Sequence, residues 1–265
     1  MPAFPETQRG SLPITGERTV PHISHENYWF RRHEAAYLAA RDWLAAAAAG
    51  AGPVLDVGVG EGYGAAQLAE VRDQVIGLDY DPTAAAHAAV TYPQVNVARG
   101  NAVELPFRDG AFGAVVSMQV VEHVWDPAKH IAECARVLRP GGTLVISTPN
   151  RLTFSPGYDP ATGSPANLFH TREYADAELA ELVSPHLTVT ARLGLRAGPR
   201  LREVDRESQR RHGADLANAQ LAAPPEKWPA WLRHTVAAVR HDDFVLSAED
   251  VDSSLDLVIR ARNGG

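Results

Sequence analysis

Sulfur chemistry is nearly absent from this chain of 265 residues, which has a single cysteine, Cys134. A lone cysteine cannot close an internal disulfide, and it suits a reducing compartment. Basic residues are outnumbered, 25 Lys and Arg against 32 Asp and Glu, for a net charge of −7. That balance argues against a nucleic-acid backbone as partner, and the short basic pairs Arg31-Arg32 and Arg210-Arg211 read as solvated faces. No apolar run approaches the roughly 20 residues that span a bilayer. The N-terminus lacks the charged-then-apolar pattern of a secretory leader. The expectation is a soluble cytoplasmic protein with neither a nucleic-acid nor a membrane partner. A chain this long buries about three quarters of its unfolded surface, so it needs no disulfide or structural metal to fold.

What is present is a regular alternation of strands and helices. Residues 1–21 are rich in Pro, Gly and Thr and read as irregular. A helical pattern runs from Asn27 into an alanine run near 49, where Gly50 and Pro53 close it. Short apolar strands are expected at 54–57, 74–78, 95–98, 114–118 and 143–147. Helices fall between them: one at 62–71, one after Asp81-Pro82 and one after Asp126-Pro127. The last two have Asp as N-cap and Pro in the first turn. Such alternation predicts a parallel sheet covered on both faces. After Pro149 come a loop at 150–171, a helix at 172–183, and strands at 187–193 and 255–261. About 60 residues separate these two strands, far more than a hairpin connection needs. Three regions follow: an N-terminal lid segment and helix, 1–50; a core, 51–193 and 251–265; and an inserted, mostly helical cap, 194–250.

The run Asp56-Val57-Gly58-Val59-Gly60-Glu61-Gly62 follows an apolar strand and opens a helix. Glycines there let a ligand approach the main chain. The loop alone also suits a dinucleotide: counted from Gly58, Tyr63 takes the place of the third glycine of Gly-x-Gly-x-x-Gly, and counted from Gly60, Ala65 does. Asp79 ends the second strand, where a carboxylate can accept both hydroxyls of a ribose. Asn101-Ala102 follows the third strand and Gln119 the fourth. All lie at carboxyl ends of strands, where open parallel sheets bind ligands. Asn101 as a turn residue and Gln119 as a solvated strand end are the plain alternatives.

Four ordered motifs extend the argument: the glycine loop, Gly100-Asn101-Ala102-Val103-Glu104-Leu105-Pro106-Phe107, Val121-Glu122-His123-Val124, and Arg136-Val137-Leu138-Arg139-Pro140-Gly141-Gly142. Over about 54–150 the chain resembles the class I S-adenosylmethionine-dependent methyltransferases. The resemblance implies a Rossmann-like α/β fold with a seven-stranded, mostly parallel sheet. It also implies S-adenosyl-L-methionine as cofactor, with Asp56, Gly58 and Gly60 in the loop, Asp79 on the ribose, Tyr80, Asn101 and Ala102 around the adenine, and Gln119 near the methionine part. An arginine of the N-terminal stretch, Arg31, is the expected partner of the cofactor carboxylate, a bidentate match.

Methyl transfer from a sulfonium needs alignment and a good nucleophile, and an alcohol needs a base or a metal. Glu122 and His123 lie beside the expected methyl position, and His170 sits in the loop after the fifth strand. These are the catalytic candidates, although a Glu-His pair at this place would serve equally as pocket floor. In quinone-precursor O-methyltransferases a similar pair is thought to hold Mg²⁺ with a further Glu four residues before the His. Here Gln119 holds that place, so Glu122 and His123 as metal ligands, and Mg²⁺ as a second cofactor, rest on half a motif.

The stretch Thr15–Val20 with Glu26-Asn27-Tyr28-Trp29-Phe30-Arg31-Arg32-His33, then Ser147-Thr148-Pro149-Asn150 and Asn167-Leu168-Phe169-His170-Thr171-Arg172-Glu173, looks like the sugar O-methyltransferases of polymethylated polysaccharide synthesis. Among these, the enzymes acting on the 1-OH of 3-O-methylated mannosides are most similar, with those of methylglucose lipopolysaccharide as the rival. The resemblance implies a small-molecule or oligosaccharide acceptor, with Tyr28, Trp29, Asn150, His170 and Glu173 around it. Docking of the N-terminal helix through its aromatics is the structural alternative, and a homodimer is compatible with the pattern.

Overall fold

The structure is a computed structural model and describes residues 18–47 and 52–264. Thr15, Gly16, Glu17 and the end of the alanine run thus lie outside the described residues. Helix α1 spans Asn27–Ala45. The alternating region then gives β1 (Val54–Val57), α2 (Tyr63–Ala69), β2 (Val75–Asp79), α3 (Pro82–Thr91), β3 (Asn96–Arg99), β4 (Phe112–Met118), α4 (Pro127–Val137) and β5 (Leu138–Pro149). Both Asp-Pro starts behave as their chemistry requires: Asp81 accepts from the Thr83 N–H, and Asp126 from that of Lys129. A side-chain cap of this kind contributes about 1 kcal/mol.

Strands β1 to β5 pair in parallel, in the order β3-β2-β1-β4-β5. Along them successive side chains enter two different cores. Val54, Ala114, Val116 and Val145 join the cluster beneath α1, α2 and α3. Leu55, Val115, Leu144 and Ile146 join the one beneath α4 and a later helix at Asp176–Val183. Period-two alternation between two buried faces explains why these strands read as unbroken apolar runs.

After β5 a short helix α5 (Arg151–Phe154) precedes α6 (Asp176–Val183), β6 (Thr188–Ala197), α7 (Pro199–His212), α8 (Leu216–Leu221), α9 (Ala230–Ala237), β7 (Phe244–Ser247) and β8 (Asp256–Arg262). The sheet has eight strands instead of the expected seven. Strand β8 inserts antiparallel beside β5, β6 pairs with β8, and β7 is added at the edge against Gly194–Ala197. The long connection therefore is not wholly helical. Its two ends zip together as a strand pair, and only the middle, through α7, α8 and α9, stands as a cap.

The cap and strand β7 are both fastened to the N-terminal helix. Tyr28 meets Phe244 edge-on at 5.5 Å. Leu201, Leu216, Trp228, Leu232 and Val236 share the core of α1; burying such side chains contributes roughly 1.5–3 kcal/mol each. Asn27 Nδ2 donates to the Val236 and Val239 carbonyls, satisfying acceptors at the end of α9. Among the described residues no helix is long and apolar enough to cross a membrane.

Candidate active site

The carboxyl ends of the parallel strands open onto one cleft of about 590 Å³. Strand β1 leads into Gly58 and Gly60, whose φ angles of 76° and 52° lie in the left-handed region. A Cβ on Gly58 would stand 2.4 Å from Val120 Cγ2, so glycine is what lets the loops after β1 and β4 meet. At Gly60 a Cβ would find nothing nearer than 3.9 Å; there the bare backbone faces the cleft. The Gly60 N–H donates to Asp79 Oδ2 at 2.9 Å, and the Asp81 N–H to Asp79 Oδ1 at 2.9 Å. One carboxylate thereby ties two loops together and keeps a further lone pair on each oxygen. Tyr80, 70% exposed, forms the lip. Asn101 Oδ1 accepts from the Val103 N–H, which turns the chain after β3 so that Ala102 lines the cleft.

Strand β4 is followed by Gln119, a non-glycine residue with φ of 56°, a conformation that a surrounding structure must enforce. The turn sends the Gln119 amide across to Ser147 Oγ at 3.2 Å and Asp256 Oδ1 at 3.4 Å. Gln119, Arg18 and His123 form the boundary between the cleft and a second, central pocket of about 270 Å³. The other walls of that pocket include Trp29, Arg32 and His33 from α1, Glu122, and Phe154 and His170 from the segment after β5. A third cavity of about 580 Å³ continues from it past Trp29, Arg32, Phe154 and Leu221 to Asp205, Asp215 and Asn218 of the cap.

Glu122 is fully buried, and burial, helped by Asp256 and Glu173, pushes its carboxyl up to about 8. Its Oε2 accepts from Thr148 Oγ1 at 3.0 Å, while Oε1 has no hydrogen-bond partner among the described residues. His123 Nδ1 lies 3.0 Å from the Phe169 carbonyl oxygen. A carbonyl only accepts, so Nδ1 carries the proton and Nε2 is the basic nitrogen of the neutral ring. His170 Nδ1 sits 2.7 Å from Glu173 Oε1, and its Nε2 3.0 Å from Asn167 Nδ2. Because Asn167 Oδ1 accepts from the Phe169 N–H, the Asn167 amine donates to His170. Both His170 nitrogens are thus committed. The loop is held down where the Thr171 N–H and hydroxyl reach the Glu122 carbonyl.

The remaining expected site residues are divided. Gly58, Gly60, Asp79, Tyr80, Asn101, Ala102 and Gln119 all line the first cleft. Trp29, Glu122, His123 and His170 line the central pocket, and Tyr28 the third cavity. Four expectations place differently. Arg31 turns away, donating to Glu34 at 2.6 Å and to Asn27; helical geometry aims its neighbour Arg32 at the cavities instead. Asp56 lies buried behind the loop, accepting from Tyr37 Oη at 3.1 Å, and burial pushes its carboxyl up to about 8. Asn150 spends its amide on the carbonyls of Val251, Asp252 and Ser254. Glu173 stands behind His170, not in the pocket wall.

Sequence reasoning missed Arg18, Arg32, His33, Phe154 and Asp256. Arg32 is buried; its Nε donates to Asp256 Oδ2 at 2.6 Å and its Nη2 to the Leu255 carbonyl. Arg18 pairs with Asp81 at 2.9 Å across the first cleft. Each depends on a partner more than 60 residues away along the chain, which no local spacing reveals. The one available signal was a buried-looking arginine on an otherwise aromatic helix face.

Glu122, His123 and His170 each bring one potential ligand atom within 4.8 Å of the others. Two ring nitrogens and one carboxylate oxygen make a donor set for a transition ion, whereas Mg²⁺ requires mainly oxygens. His170 would also have to release Asn167. The residues do not fit Mg²⁺, and no step is derived through it.

Residues 55–146 match the family described as methyltransferase domain. A probable S-adenosylmethionine-dependent methyltransferase of Mycolicibacterium smegmatis is 48% identical over 254 residues, covering 94% of both chains. A ubiquinone biosynthesis O-methyltransferase of Xanthomonas campestris is 39% identical over 116 residues, covering 42% of this chain and 48% of its own length. In structure, a SAM-dependent methyltransferase of Thermotoga maritima superposes with a TM-score of 0.56 at 19% identity, covering 89% of this chain and 93% of the other. At that identity the last similarity speaks to the fold alone.

Proposed function

The chain belongs to the S-adenosylmethionine-dependent methyltransferases, and on that premise we propose that it methylates a hydroxyl oxygen of a sugar held in the central pocket. The first cleft suits the cofactor. Asp79 has lone pairs for the two ribose hydroxyls, Tyr80 and the Asn101-Ala102 turn flank a space for the adenine, and the bare Gly60 backbone admits close approach. Bound there, the cofactor supplies an activated methyl group.

The observation that carries the sugar reading is the composition of the adjoining pocket. Gln119 and His123 are common to both spaces, so an acceptor in the pocket lies next to the cofactor. Three imidazoles, two carboxyls, two arginines and two aromatic faces surround it. Polar groups of both senses beside Trp29 and Phe154 suit a polyhydroxylated ring with an apolar face. His123 Nε2 takes the hydroxyl proton as the oxygen gains the methyl and S-adenosylhomocysteine is released. Oxygen as the methylated atom is in keeping with the ubiquinone relative, which is named an O-methyltransferase. The cap cavity has room for the rest of an oligosaccharide.

Within this class the 1-OH of a 3-O-methylated mannoside, as in methylmannose polysaccharide synthesis, is the specific acceptor we favour. An anomeric hydroxyl is the most acidic of a sugar and the easiest for a histidine to activate. The test is S-adenosylhomocysteine release across mannosides and glucosides, with and without 3-O-methylation, in Mg²⁺ and in chelator. Turnover with 3-O-methylated mannosides supports the reading, turnover with glucosides alone moves it to methylglucose lipopolysaccharide, and inertness to all sugars overturns it.

A further inference from the structure

His33 stands in the wall of the central pocket beside Arg32 and Trp29, and its ring is tied to the N-terminal segment. Its Nδ1 lies 3.3 Å from Thr19 Oγ1, which lies 3.0 Å from the Tyr63 hydroxyl. The direction of this chain follows from its far end. Among the described residues the Tyr63 hydroxyl has Thr19 as its one hydrogen-bond partner. Burial holds the Tyr63 phenol well above its ordinary range, so it keeps its proton and donates it to Thr19. The Thr19 hydroxyl then has its own proton to place, and among the described residues His33 Nδ1 is the acceptor within its reach, so both hydroxyl protons are satisfied only when Thr19 donates there. An imidazole accepting at Nδ1 carries its proton on Nε2. Burial, with Arg32 nearby and against the pull of Asp256, holds His33 down at about 4, so the ring stays neutral and its two edges stay different.

The pocket therefore presents two imidazole edges of opposite sense. His123 is protonated at Nδ1 by its bond to the Phe169 carbonyl and offers a basic Nε2. His33 offers an Nε2–H. We propose that His33 is a specificity-determining residue: its Nε2–H donates to an acceptor oxygen adjacent to the hydroxyl being methylated, in the tautomer set by the Tyr63–Thr19 relay. This rests on the reading that a sugar occupies the central pocket. A donor at this place matches an oxygen without hydrogen, the ring oxygen of a pyranose or an ether, as well as the lone pair of a neighbouring hydroxyl. Holding two adjacent oxygens by opposite polarity fixes which of them reacts. An acceptor lacking the second oxygen would leave the Nε2–H unpaired in a desolvated pocket, the arrangement that discriminates most strongly.

Two measurements test this, and they fail separately. The first is the tautomer, read by ¹⁵N chemical shifts of His33 in the full-length protein. A proton on Nε2, with Thr19→Val shifting the ring toward a mixture, is the expected result; a proton on Nδ1 in the unmodified protein overturns the relay whatever the substrate is. The second is kinetic. His33→Ala should raise the acceptor KM by about ten- to a hundredfold, with S-adenosylmethionine affinity by calorimetry unchanged, and His33→Gln, which restores an N–H near the same place, should recover most of the loss. An unchanged acceptor KM, or an equal loss of cofactor affinity in a folded His33→Ala protein, overturns the proposal. A protein with the expected tautomer that is inert to every sugar overturns the sugar reading and, with it, the role assigned to the donor.

Discussion

The cofactor cleft and the central pocket adjoin, yet they are built in different ways. The cleft is made by loops that directly follow consecutive strands, held mainly by bonds between those loops, Gly60 and Asp81 on Asp79 and Val103 on Asn101, to which the N-terminal stretch adds the Arg18–Asp81 pair. The pocket is made by side chains from the N-terminal stretch with α1, the turn after β4, the segment after β5 and the end of α8. They are locked by long-range bonds such as Arg32 to Asp256 and Thr171 to Glu122. A cleft built from backbone turns tolerates change elsewhere in the chain, whereas a pocket assembled from four distant segments lets acceptor preference vary without disturbing the cofactor.

Breaking the chemistry of the pocket alone should have the largest effect. His123→Ala is expected to lower turnover by roughly 10²- to 10⁴-fold, with cofactor affinity by calorimetry nearly unchanged. If turnover persists near normal, His123 is only pocket floor.

The fastening of the pocket comes next. Asp256→Ala leaves the buried Arg32 guanidinium without its counter-charge, and one-sided loss of a buried pair costs about 3–5 kcal/mol. Denaturant unfolding should show that loss. A folded remainder should still bind S-adenosylmethionine, because the strong bonds of Asp256 go to Arg32 and its bond to the cleft residue Gln119 is long, 3.4 Å. A stability change below 1 kcal/mol, on the order of a surface pair, would mean the pair is not the fastener.

A change in the cleft should produce the converse. Asp79→Ala removes the proposed ribose acceptor, with hydrogen bonds to a charged group contributing roughly 1.5–3 kcal/mol. Cofactor affinity should fall about ten- to a hundredfold, while the folded core persists. Unchanged affinity would remove Asp79 from the ribose.

The smallest effect is on pH dependence. Burial pushes the Asp56 carboxyl up to about 8 in the folded chain, far above the ordinary carboxylate range. The folded state therefore keeps a proton that the unfolded state has released, and stability falls as pH rises through that window. Asp56→Asn, which resembles the protonated form, should flatten the decline in melting temperature between pH 5 and 8. A parallel slope would show that Asp56 is ionised in the fold. Glu122, raised for the same reason, contributes a slope of the same sign that this variant retains.

The core elements were legible because their signals are local. Asp81-Pro82 and Asp126-Pro127 announce helix starts by capping chemistry, and the apolar runs at 54–57 and 114–118 announce buried strands. The eighth strand was not legible: Phe244–Ser247 is four residues at a sheet edge, with one face buried only at Phe244, too short for any period to register. Strand β5 likewise begins at Leu138, before the Pro140-Gly141-Gly142 that suggests only a helix end, because Leu138 already pairs with Phe112 of β4 and the register shifts across the break to Ala114 and Thr143.

The candidate site divides along the same line. Gly58, Gly60, Asp79 and Asn101 sit at strand ends, and strand ends converge on one edge in any parallel sheet, so their position in sequence already implied their meeting place. The orientation of α1 is different. Residues 27–33 could be singled out by their aromatics, but whether Arg31 or Arg32 faces the cavities is a rotation of about 100°, settled by Asp256 at the start of the last strand. His33 has meaning only through Thr19 and Tyr63, and Asn150, polar and well placed in sequence, is consumed by three carbonyls. Local capping, glycine conformation and strand periodicity belong to the sequence by itself, since each acts over a few residues. Which face of α1 lines the pocket, and which polar groups remain available in it, was decided only by the tertiary structure, because buried charges and donors must find partners wherever the packing puts them.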